Sequence, residues 1–155
     1  MKITIDTIGT ILIAIIIAFI YFSIGTSDAK NLTSFIVIGE KFSEIKTLFS
    51  ENYTITESAG KRITYSFLGN HGNLTQFATK NDIIEVVEVY NVYEKQDDAL
   101  TLYTDLSVLM VTQEKYSMLR AYNSTLEFIK GDVVVRIEQI PTIYGFLVKF
   151  TAFIQ

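Results

Sequence analysis

From Thr7 to Ser27 the chain carries no charged residue, and its centre runs Ile11-Leu-Ile-Ala-Ile-Ile-Ile-Ala-Phe-Ile-Tyr-Phe22. Twenty-one residues in a helix rise roughly 30 Å, the hydrocarbon thickness of a bilayer. In lipid every backbone group must be paired within the segment, so helix is the expected conformation despite the β-branched isoleucines. The pattern predicts a transmembrane helix over 7–27, in contact with the lipid bilayer. Residues 1–6 then form a cytoplasmic stub, 28–33 a linker and 34–155 an extracytoplasmic domain. Lys2 and the α-amino group before the run place the N-terminus on the cytoplasmic side of a single-pass cell-membrane protein. A cleaved signal peptide is the competing reading, since Ser27 and Ala29 are small residues at cleavage-site spacing.

Beyond the run, four N-x-[ST] acceptors occur, at Asn31, Asn52, Asn73 and Asn123. They predict a glycoprotein with an exterior domain, although Asn, Ser and Thr are also common in turns. With one Pro and neither an internal repeat nor a low-complexity tract, 34–155 reads as one domain. Phe42, Ile45 and Phe49 recur at helical spacing within 40–50. Residues 52–56, 62–68 and 83–93 are rich in β-formers, and Gly69-Asn-His-Gly-Asn73 is a turn. Asp97 and Asp98 cap a helix whose stripe is Ala99, Leu102, Leu106 and Leu109. A strand over 118–122 follows. Leu126–Lys130, the turn Gly131-Asp132 and Val133–Glu138 then give a hairpin. The predicted fold class is α+β: an N-terminal transmembrane helix followed by an antiparallel sheet with helices packed on one face.

Thr142–Gln155 is apolar on every side apart from Lys149 and fits a helix or a strand equally. Such a segment is either buried within its own domain or docked on a partner chain or the membrane surface. In the second case Phe146, Leu147, Phe150 and Phe153 are the residues that make the contact.

The residues that usually carry chemistry are sparse. The chain has no Cys, which removes disulfides, thiolate catalysis and cysteine-held metals, and His71 is its only imidazole, set in a turn. None of the eight glycines falls in a phosphate-cradling loop. Glu85 and Glu88 lie three apart, so on a regular strand they point to opposite faces and cannot act as a pair. The net charge of −4 argues against nucleic acid as a partner. No catalytic, cofactor-binding or metal-binding residue is expected.

Two stretches resemble known families. Ile8-Gly-Thr-Ile-Leu-Ile-Ala14, within 7–25, resembles the N-terminal helix of archaeal type IV pilins and archaellins, which implies packing into a filament core. The run from Ile83 to Arg136, with Asp97-Asp-Ala-Leu opening a helix, is similar to uncharacterised membrane-anchored exterior domains of archaea, which implies fold and location without an activity. The chain therefore reads as a non-enzymatic, membrane-anchored protein acting through protein–protein contacts or self-association, as an accessory subunit of a membrane or surface assembly. A pilin-like filament subunit and a small-ligand-binding exterior domain are the alternatives.

Overall fold

The computed structural model describes residues 26–49, 53–58, 60–69 and 73–155. Helix α1 (Thr26–Thr33) and the short α2 (Phe42–Ile45), continued by a 3-10 turn at Lys46–Leu48, precede four strands: β1 (Tyr53–Ser58), β2 (Arg62–Leu68), β3 (Leu74–Lys80) and β4 (Ile83–Tyr93). Helix α3 (Gln96–Thr112) then leads into β5 (Ser117–Tyr122), β6 (Thr125–Lys130), β7 (Val133–Thr142) and β8 (Gly145–Ile154).

All eight strands join one antiparallel sheet in the order β1-β2-β3-β4-β8-β7-β6-β5. Each half is a four-stranded meander entered from helix, and the last strands of the two meanders pair at the centre, Val86 with Phe153 through Tyr93 with Phe146. The chain thus repeats in topology although its sequence shows no repeat. Tight turns make the meanders possible. Asn81 and Asp82 both have positive φ (52° and 68°), the geometry that matches the twist of a two-residue hairpin. Asp82 also anchors α2: its carbonyl accepts the Phe42 N–H at 2.8 Å and its carboxylate accepts the Ser43 N–H at 3.0 Å.

The helices contribute to a single core on one side of the sheet. Ala99, Leu102, Leu106, Leu109 and Met110 of α3 are buried in the same cluster as Val87, Val135, Ile137, Val148 and Phe150. Near β1 the core is aromatic. The Phe42 ring stacks on Tyr65 with centroids 3.9 Å apart, and Phe49 meets the edge of Phe77 at 4.9 Å. Such pairs add to burial because ring edges and faces carry opposite partial charge.

Several expectations are corrected. The expected class, α+β with an N-terminal transmembrane helix before an antiparallel sheet, gives way to a fold dominated, among the described residues, by one eight-stranded antiparallel sheet. Among the described residues no helix is long and apolar enough to cross a membrane. The span expected over 7–27 lies outside the described residues except for Thr26 and Ser27, which open α1. Residues 28–33 are not a linker. They belong to α1, whose Ala29 and Leu32 are buried in the core. Of the helix expected within 40–50, the described residues give only one helical turn at Phe42–Ile45 and a 3-10 turn at Lys46–Leu48. Strand β3 was not anticipated. Most of 142–155 is strand: Thr142 ends β7, Ile143 and Tyr144 make the turn, and Gly145–Ile154 form β8. The apolar character of β8 follows from position, since it is central, flanked by β4 and β7, and its two faces meet different surroundings.

Candidate interaction face

Because the helices cover one side, alternate residues of every strand point to the open side. Cross-strand partners share a face, so the register writes the open face out in rows. The central row crosses all eight strands: Thr54, Ser66, Gln76, Glu88, Thr151, Arg136, Glu127 and Arg120. Every member is polar. Beside it runs an apolar row, Ala78, Val86, Phe153, Val134 and Ile129. Two rows to the other side lie Val92, Leu147 and Ile140.

The charges of the central row are paired within the face, whereas Glu138 and Lys80, on the same face opposite Lys149 and Arg62, are in no ion pair among the described residues. Glu127, only 4% exposed, accepts from Arg136 Nη2 at 2.7 Å and Nε at 2.8 Å, and from Arg120 Nε at 2.9 Å. Hydrogen bonding to Glu127 is the main reason the Arg136 guanidinium is held above its ordinary pKa. Lys149 reaches Glu88 at 2.6 Å, and the Tyr90 hydroxyl donates to the same carboxylate at 2.9 Å. Arg62 binds Glu85 at 2.6 Å. The cations also sit over rings, Arg136 above Phe153 at 5.6 Å and Lys149 above Tyr90 at 5.1 Å.

A shallow groove of about 580 Å³ opens on this face between Arg62, Glu85, Val86, Arg136, Thr151 and Phe153. Thr151 is buried there, and its hydroxyl has no hydrogen-bond partner. A buried hydroxyl left unpaired is costly unless something supplies a partner.

The expected site residues fall in different places. Phe150 is fully buried and Phe146 packs against the core, so both serve the interior. Leu147 and Phe153 lie half-buried in the two apolar rows of the open face. Glu85 and Glu88 do not point to opposite faces. The ladder shifts register where Ala78 and Thr79 face Val86 and Ile84, and this bulge leaves Glu85 as the extra residue, turned to the open side with its Arg62 partner. The helix cap expected from Asp97 and Asp98 is also displaced. The N-cap is Lys95, without a side-chain cap bond, and the two aspartates occupy the first turn, where they favour the helix dipole.

Asn31 and Asn123 are exposed, Asn73 is half-buried before β3, and Asn52 lies outside the described residues, as does His71. Nothing in this fold supports the glycoprotein or accessory-subunit reading, and both are set aside. Among the described residues no three His, Cys, Asp or Glu side chains are grouped to hold a metal ion. No protein-family model, curated protein or solved structure matches the chain. No residue role can therefore be transferred, and the face must be judged on its own chemistry.

Proposed function

We propose that this chain is a non-enzymatic protein that acts through protein–protein contact, with the open face of its sheet as the contact surface. One observation carries the reading: among the described residues helices cover the sheet on one side only, and the other side keeps two apolar rows on either side of a central row whose charges are paired with one another. A partner docking there buries Leu147, Phe153 and Val92 beside a central row of charges that are already paired, which limits the water to be stripped from ions, the costly part of burying charge. Arg136, stacked on Phe153 and locked to Glu127, loses little freedom on binding.

The test is the native mass of the full-length chain extracted from its source. Wild type is expected to migrate as a particle heavier than one chain. Leu147→Glu combined with Phe153→Glu is expected to reduce it to a single chain, while Val111→Glu, on the exposed side of α3, leaves it unchanged. The unfolding midpoint of each variant separates loss of contact from loss of fold. A wild-type particle of one chain contradicts the proposal, and so does a heavy particle that survives the double substitution.

A further inference from the structure

A second cavity, also of about 580 Å³, lies on the helix side between α1, α3 and the ends of β3 and β4. That size is within the roughly 300–1,000 Å³ typical of small-molecule sites. Asn31, Asn73, Thr75 and Asn91 contribute polar groups to it, and Phe35 and Leu102 contribute to its apolar wall. Three of the chain's seven asparagines therefore meet around one space. Among the described residues no charged side chain lines it.

Asn91 is the telling residue. It sits on the core face of β4, in line with Val87 and Val89, where a period-2 strand calls for an apolar side chain. It is 7% exposed, and its amide nitrogen has no hydrogen-bond partner. An orphaned buried amide destabilises a fold, whereas an apolar residue of the same shape would not. We infer that this cavity is a binding site for a small neutral molecule that carries an amide-like edge, with one donor and one acceptor, on an apolar body. A carboxamide can present either its N–H or its oxygen by turning over, so Asn91 suits such an edge. Anions and cations are excluded because nothing in the wall compensates a buried charge.

The inference rests on Asn91 and not on the open face, although Val92 borders both, and is tested with the 15N-labelled full-length chain, titrated separately with benzamide, benzoate and benzylamine. These share one ring and differ in the polar group. Benzamide is expected to move the Asn91 side-chain amide resonance in a saturable way with a Kd of about a millimolar, and benzoate and benzylamine to bind at least tenfold more weakly. Asn91→Leu is expected to raise the unfolding midpoint while weakening benzamide at least tenfold. Leu102→Phe, which fills the cavity without touching its polar side, is expected to block benzamide as well. Equal binding of the three probes overturns the inference, as does undiminished benzamide binding in both variants. A stabilised Asn91→Leu chain whose parent ignores benzamide also overturns it, because the cavity then holds water alone.

Discussion

Gly145→Ala is expected to destabilise the protein by roughly 3–5 kcal/mol, summing the costs of a strained φ and of overpacking. Gly145 opens β8 just after the turn from β7, with φ at +138°, a region that L side chains rarely adopt. Space is the harder constraint. A Cβ built there stands 2.2 Å from the Tyr93 carbonyl oxygen and 3.2 Å from its carbon. These are backbone atoms of β4, so no side-chain rotation relieves the clash, and the central β4–β8 pairing that joins the two meanders must open. Gly131 provides the comparison. It too has positive φ (+61°), but a Cβ there meets nothing within 4 Å. Gly131→Ala is therefore expected to cost only about 1 kcal/mol. Urea unfolding of both variants measures the difference, and equal losses would show that the close approach at Tyr93 does not hold the sheet together.

Glu127→Ala is expected to cost roughly 2–4 kcal/mol, somewhat below the usual range for breaking a buried pair because its arginines can partly rehydrate. Both carboxylate oxygens are used, one by Arg136 and the other by Arg120. Side-chain exposure is 36% for Arg136 and 62% for Arg120, against 5% for Glu127. Arg120→Ala should consequently cost no more than about 1 kcal/mol, as an exposed pair member does. Removing Glu127 leaves two like charges, on β5 and β7, flanking β6 without the carboxylate that neutralised them. Denaturant unfolding of the two single variants is the check. If Glu127→Ala proves no worse than Arg120→Ala, the network is decoration on a fold held by its core.

Much of the second meander was legible in the sequence. Helix α3 shows its stripe of Ala99, Leu102, Leu106 and Leu109, and the turn at Gly131-Asp132 announces β6 and β7. Strand β3 was hidden because its core face alternates threonine with a single aromatic, Thr75, Phe77 and Thr79, too polar to read as a half-buried strand. Its signal was the Asn81-Asp82 turn, two residues at home with positive φ.

The interaction face was only partly visible. An apolar run draws attention to Phe146 and Phe150 as readily as to Leu147 and Phe153, and only the register separates interior from open side. The bulge that brings Glu85 beside Arg62 has no local signature, since it is set by the pairing with β3. Asn91 was readable in principle as a polar residue in an otherwise apolar strand, but without the cavity beside it an Asn in Val-Tyr-Asn-Val-Tyr is merely a mismatch.

The open face can be tested against the helix face at matched exposure. Val92, 45% exposed, stands beside Leu147 on the open side, and Leu100, 46% exposed, stands on α3. Each can be replaced singly by a photoreactive p-benzoylphenylalanine in the full-length chain within its source cell. Irradiation is expected to give one adduct of fixed mass from position 92 and none from position 100. Adducts of equal yield from both positions, or from position 100 alone, would contradict the assignment of the open face as the contact surface.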